Sequence, residues 1–143
     1  MEVGNGVDES WQVPRVIRLW NQKQDRIRLR VRDDCGGARQ QVRLTTYTRD
    51  DDQGGWTQWR AWSHPFFERG IVHLNWGEYA GSNSCVKSSL AAHEIGHALG
   101  LSHIETRRTD TLMGELHGTY HYDQTRCGQP GPQDINQINR LFR

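Results

Sequence analysis

Three histidines and a glutamate stand at regular intervals in His93-Glu94-Ile95-Gly96-His97-Ala98-Leu99-Gly100-Leu101-Ser102-His103. On an α-helix residues four apart stack one above the other, about 6 Å along the axis, so His93 and His97 can offer two imidazoles to one metal ion. A continued helix would carry His103 about 9 Å further along and roughly 240° round, so the chain must break and turn back before it can supply a third ligand. Gly100 stands where that break is needed, and glycine takes the left-handed conformation at a helix C-terminus without a Cβ penalty. Three neutral nitrogens with a fourth position open to water is the layout of a catalytic rather than a structural zinc site. Glu94, about 100° round the same helix from His93, is placed to act as general base on a zinc-activated water without ligating the metal. With this chain's composition, the five fixed positions would arise by chance in roughly one sequence in ten thousand, so packing or solvated histidines are a poor alternative.

The elements that must position these residues follow from periodicity. Ser88 to Leu99 reads as the helix carrying the motif, with Leu90, Ala91, Ile95, Ala98 and Leu99 apolar and Gly100 as its stop. A helix is expected over Val13–Lys23 behind Pro14, and a closing amphipathic helix behind Pro132, with Ile135, Ile138, Leu141 and Phe142 on one face. Strands are expected near Arg26–Arg32, over Gln41–Thr48 and over Gly70–Trp76, and Glu2-Val3-Gly4 reads as the stub of a strand truncated at the N-terminus. Trp56, Trp59 and Trp62 recur every three residues, which fits neither a clean strand nor a long helix, and core or loop packing is favoured over a carbohydrate platform. Residues 114 to 132 are expected to be irregular. No linker, repeat or low-complexity tract divides the chain, so residues 1–143 read as one domain.

With 143 residues, 34% hydrophobic residues and a mean hydropathy of −0.86, the core must be thin, and the six tryptophans partly offset that. No apolar run is long enough to span a membrane, and the first residues lack the apolar stretch of a signal peptide, so an exported form would need a leader from outside this chain. A net charge of +1 gives no electrostatic case for nucleic acid or an anionic membrane as partner. Arginines alternate with apolar residues from Arg26 to Arg32, as on a strand with one wet face. Asp50, Asp51 and Asp52 are a conceivable calcium site, but EF-hand spacing is absent and a polar hairpin turn is the better reading. Among Cys35, Cys85 and Cys127, a Cys85–Cys127 bridge is favoured in an oxidising compartment, since it would tie a long loop to the motif helix; three reduced cysteines are the alternative.

The motif at His93, Glu94, His97, Gly100 and His103 resembles that of the metzincin zinc endopeptidases, and Met113 in Thr111-Leu112-Met113-Gly114 stands where that clan places its methionine turn beneath the metal. The resemblance implies an α+β fold: a small twisted, mostly parallel sheet with an antiparallel edge strand, an active-site helix, the methionine turn and a C-terminal helix. It implies one catalytic Zn2+ held by His93, His97 and His103, with Glu94 as catalytic base. It also implies an extended peptide or protein substrate laid along an edge strand, for which Gly70–Trp76 is the candidate, with Ile71, His73 and Asn75 as substrate contacts. Tyr120 and Tyr122 are candidates for the wall of the pocket beyond the scissile bond, in residues 114 to 123. Within the clan the chain is most similar to the matrixins and to small secreted bacterial proteases of the snapalysin type. It departs from the first in having Ile104 where a serine follows the third histidine, and from the second in having His103 where an aspartate stands. No tyrosine lies two residues after Met113, so the tyrosine ligand of astacin-like members has no counterpart there.

A secreted, monomeric zinc endopeptidase is therefore the expectation. The competing classes are a zinc-containing binding module without turnover, using tryptophans on glycan or arginines on polyanion, and a zinc amidase acting on a non-peptide bond. Of the histidines outside the motif, His73 is expected to be a satisfied strand residue, and His64, His117 and His121 carry no assigned task. Glu115 is a weak alternative third ligand, because it stands in a glycine-containing segment close to His97 rather than on a helix.

Overall fold

The computed structural model describes residues 1–33, 40–49, 54–63, 66–105, 111–116, 119–120 and 127–143. Five strands form one sheet: β1 (Glu2–Asn5), β2 (Arg30–Arg32), β3 (Gln41–Tyr47), β4 (Gly55–Ser63) and β5 (Phe66–Asn75), in the order β2-β1-β3-β5-β4. All pairings are parallel except that of β4 with β5, so the antiparallel strand lies at the edge. A second small sheet joins β6 (Ile104–Glu105), β7 (Gly114–Leu116) and β8 (Thr119–Tyr120). The helices are α1 (Val13–Lys23), the short α2 (Trp76–Tyr79), α3 (Ser84–Ala98) and α4 (Pro132–Leu141).

Alternation along the strands sends Val3, Val42, Leu44, Val72 and Leu74 to one face, all buried, and α1 and α3 close over that face. Helix α1 has the expected bounds and buries Val13, Val16, Ile17 and Trp20. Helix α3 is buried nearly all round, from Lys87 to Gly96, as befits a helix set between the sheet and its neighbours. Buried Lys87 satisfies its ammonium on Ser10 Oγ and the Ala80 carbonyl and lies 4.5 Å above the Trp76 ring.

The strand expected over Arg26–Arg32 is limited to Arg30–Arg32. The Asn21 side-chain amide pairs with both Leu29 N and Leu29 O, and that of Gln24 pairs with both Ile27 N and Ile27 O. Helix α1 thus takes up backbone groups that a longer ladder would have used. The tryptophan triplet is on a strand, β4, and Trp56 and Trp59 are exposed rather than packed in the core. Within 114–132, two short strands form where irregular chain was expected. Cys35, Asp50, Asp51, Asp52, His64, His117, His121 and Tyr122 lie outside the described residues, and Tyr120 is placed on β8 by its backbone alone.

Candidate active site

Helix α3 starts at Ser84, earlier than the periodicity suggested, because Asn83 caps it by accepting from the Cys85 and Val86 amides. Its far end carries the break that the motif demands. The Gly100 amide donates to His97 O at 2.8 Å and the Leu101 amide to Gly96 O at 3.0 Å, with Gly100 at φ 90°. This pair of bonds is the Schellman closure, in which a glycine reverses the chain. The reversal brings His103 Nε2 to 2.8 Å from His97 Nε2 and 3.3 Å from His93 Nε2. The ligand atoms of the three histidines all lie within 4.8 Å of one another.

The donor set fits zinc. Zn–N bonds of about 2.0–2.1 Å in a tetrahedron require nitrogens about 3.3 Å apart, close to the two separations that His103 Nε2 makes with the other imidazoles. His93 Nδ1 is 2.5 Å from Leu112 O and His97 Nδ1 is 2.9 Å from Leu101 O. A carbonyl can only accept, so each Nδ1 carries the hydrogen and each Nε2 keeps its lone pair for a metal. Burial, with His97 alongside, lowers the His93 pKa to about 3, against a smaller opposing effect of the Leu112 carbonyl. A neutral imidazole is the form a cation needs.

Met113 is fully buried beneath the helix, and the contact explains an unassigned position of the motif. A Cβ on Gly96 would stand 2.6 Å from Met113 Sδ, so only glycine lets the sulfur pack there. The turn holding Met113 is fixed by Asp134 of α4. Its Oδ2 accepts from Leu112 N at 2.8 Å and Gly131 N at 2.7 Å, and its Oδ1 accepts from Thr111 Oγ1 at 2.5 Å and Met113 N at 3.2 Å. Ile104 N donates to Met113 O at 2.7 Å, which ties the chain just after the third histidine to the same turn. Sequence reasoning missed Asp134; an aspartate at the third position of a helix behind Gly131-Pro132 was the available signal.

Glu94 is 3% exposed, and burial raises its pKa to about 7 against the opposing pull of the Thr57 hydroxyl. Thr57 Oγ1 lies 2.9 Å from Glu94 Oε2, and a Cβ on Gly55 would stand 3.0 Å from Glu94 Cγ and 2.7 Å from His73 O. Two residues of β4 therefore seat the glutamate, one by a hydroxyl and one by having no side chain. Neither was singled out from the sequence, although a glycine opening a strand can mark a close approach. A cavity of about 240 Å3 opens here, lined by Gly55, Trp56, Thr57, Trp59, Glu94, His97 and His103.

The strand expected at Gly70–Trp76 exists, but it is not the edge. It is paired with β3 on one side and β4 on the other, so its backbone cannot accept another strand, and the edge position belongs to β4. Ile71 and His73 are half-buried. His73 stacks on Trp56, its cross-strand partner, and lines a second cavity with Tyr47, Arg49 and Trp56. Asn75 is buried and pairs with the Arg49 backbone through both its amide nitrogen and its oxygen. Glu115 falls on β7 by its backbone, and its side chain lies outside the described residues.

A Cys85–Cys127 disulfide joins the start of α3 to the chain leading into α4, across a separation of 42 residues. Next to it the Gly128 amide donates to Ser89 Oγ, and the Arg15 guanidinium donates to Cys127 O. Among the described residues no helix is long and apolar enough to cross a membrane.

A search of curated proteins finds no match to the chain. The model of the matrixin family of peptidases, by contrast, matches residues 8–143, which include the whole histidine motif, the methionine turn and α4. The chain belongs to the matrixin family, and is a zinc metalloendopeptidase of the metzincin clan.

Proposed function

We propose that the protein cleaves extended polypeptides with Glu94 as general base and His93, His97 and His103 as the ligands of one zinc ion. The observation that carries this reading is the meeting of the three Nε2 atoms beside a buried carboxylate at the wall of an open cavity. Zinc bound there supplies Lewis acidity, which lowers the pKa of water and polarises a carbonyl. Glu94 takes the proton of the attacking water and passes it to the leaving amine. Thr57 engages Oε2 and fixes the carboxylate plane, so Oε1 is assigned to the proton transfer. Burial raises the Glu94 pKa to about 7 in the metal-free site, and a cation beside it draws that value back down, so Glu94 is the ionised base around neutral pH when zinc is bound.

The substrate backbone is assigned to the edge of β4, where an extended peptide can add as a further strand. Met113 and Asp134 act as positioning residues beneath the site. The disulfide favours an oxidising compartment, and secretion is proposed on that ground.

The test is cleavage of a denatured protein by the zinc-loaded chain. Activity should disappear on chelation and return with zinc, and Glu94→Ala should retain one zinc per chain while losing cleavage. Normal turnover by that variant would overturn the role given to Glu94. Stoichiometric zinc with no cleavage of any peptide by the wild type would favour a binding module instead.

A further inference from the structure

Trp56 and Trp59 are the exposed large apolar residues among the described residues, at 41% and 40%. Both stand on β4, the terminal strand of the sheet, and both line the cavity that holds Glu94, His97 and His103. The register pairs Trp56 with His73, Thr57 with Val72 and Trp59 with Gly70. Trp59 therefore shares the face of Thr57, toward α3, and Trp56 stands on the reverse face. The Trp56 indole is braced, since it stacks on the His73 imidazole with centroids 3.9 Å apart and planes within 11°. Both indoles stay about two-fifths exposed at the mouth of the reactive cavity, where a chain bound along β4 would cover the rest of their apolar surface.

An extended chain laid along this edge alternates its side chains with the same period as β4. Whichever way it runs, the residues opposite Trp56 and Trp59 fall on the faces of those two indoles and are three residues apart. We infer that Trp56 and Trp59 form a two-sided aromatic subsite selecting polypeptides that carry large apolar side chains, aromatic or branched aliphatic, at two positions three residues apart beside the scissile bond. The inference deepens the endopeptidase reading and rests on it. A polypeptide is preferred to a glycan because the two indoles flank a strand edge, whose alternating N–H and C=O groups match an extended peptide and no sugar ring.

The experiment uses the zinc-loaded protein and peptides in which Phe, Leu, Ser or Asp is placed in turn at each position flanking the scissile bond, read as kcat/KM. Two positions three apart should favour Phe or Leu over Ser by about 10- to 100-fold. Trp59→Ala should flatten one of them and Trp56→Ala the other, while the Phe variants keep most of the preference, all at unchanged zinc content. A second arm measures binding of the preferred peptide and its Ser counterpart to zinc-loaded Glu94→Gln by tryptophan fluorescence. The preferred peptide should bind at least about tenfold more tightly. If the wild type cleaves nothing while this difference stands, the endopeptidase reading fails and the subsite survives. A flat profile in both arms, a preference that survives both Trp→Ala changes, or binding of chitooligosaccharides in place of peptides would overturn the inference.

Discussion

Asp134 and His93 are joined through a single residue: the Asp134 carboxylate holds the Leu112 amide at 2.8 Å, and the Leu112 carbonyl faces His93 Nδ1 at 2.5 Å. The last helix of the chain thereby orients the first ligand of the candidate metal site. Asp134→Ala would leave buried donors at Thr111, Leu112 and Gly131 without this acceptor, while Met113 N keeps Thr111 Oγ1, and each orphaned buried donor costs about 1–3 kcal/mol. Chemical denaturation should show that loss, and zinc affinity, read by chelator competition, should fall by about 10- to 100-fold. Asp134→Asn keeps the volume and one acceptor oxygen and should lie between the two.

Gly96 and Met113 should behave as a coupled pair. Gly96→Ala gains up to about 1 kcal/mol of helix propensity but forces the Met113 sulfur out of the space it fills at 2.6 Å, so net destabilisation is expected. Met113→Ala opens a cavity at a fully buried position and should cost about 2–5 kcal/mol. In the double variant the alanine methyl occupies part of that cavity. The two changes together should therefore cost less than their sum, by about 1 kcal/mol in a denaturation cycle, and strict additivity would show that the contact does not matter.

Gly55→Ala tests how Glu94 is seated. The new Cβ would stand 2.7 Å from a backbone oxygen, which cannot yield, and 3.0 Å from Glu94 Cγ, which can. The carboxylate should swing away from Thr57 while the histidines keep their places. The expected result is a fall in kcat of about 100-fold, the loss that a misplacement of about 1 Å brings, with zinc content unchanged. Loss of zinc together with activity would show that the strain spreads into α3.

Removing the disulfide by Cys85→Ala with Cys127→Ala opens a loop closed across 42 residues, and about 2–4 kcal/mol of stability should be lost. The bridged segment contains His93, His97, His103 and Met113. Zinc should protect the double variant against thermal unfolding more than it protects the wild type, since metal and disulfide constrain the same stretch of chain. Equal protection in the two proteins would refute that overlap.

What could be read in advance follows the range of the interactions involved. The histidine spacing, the break at Gly100 and the bounds of α1 depend on residues within a few turns of one another, and they fold as periodicity dictates. The edge position was misassigned to Gly70–Trp76 because strand order depends on pairings between distant segments. Nothing local in Gly55–Ser63 says that it will lie antiparallel and outermost. Trp56 and Trp59, three apart, obscured the alternation by standing exposed on both faces of one strand. The cap that Asp134 makes on Gly131 is local and legible, but its hold on the methionine turn, like that of Thr57 on Glu94, is not, since each reaches a partner more than 20 residues away.

The pH dependence of the metal-free protein separates Glu94 from the histidines. In the fold Glu94 has a pKa of about 7 against an ordinary 4.5, so the folded state binds its proton more tightly than the unfolded state does. Its stabilising contribution is fully present below pH 4.5 and is lost as the pH rises to about 7, a total of about 3 kcal/mol. His93 acts in the opposite sense, since its pKa falls from 6.5 to about 3 and the fold gains stability as the pH rises through that window. Comparing wild type with Glu94→Gln in chelator cancels the histidine contribution. The difference in unfolding free energy should therefore favour the wild type progressively less between pH 4.5 and 7 and be level outside that range. Zinc should remove the slope, because a cation beside the carboxylate favours its ionised form. A difference that stays flat in chelator, or one that rises with pH, would mean that the buried carboxylate is already ionised without the metal.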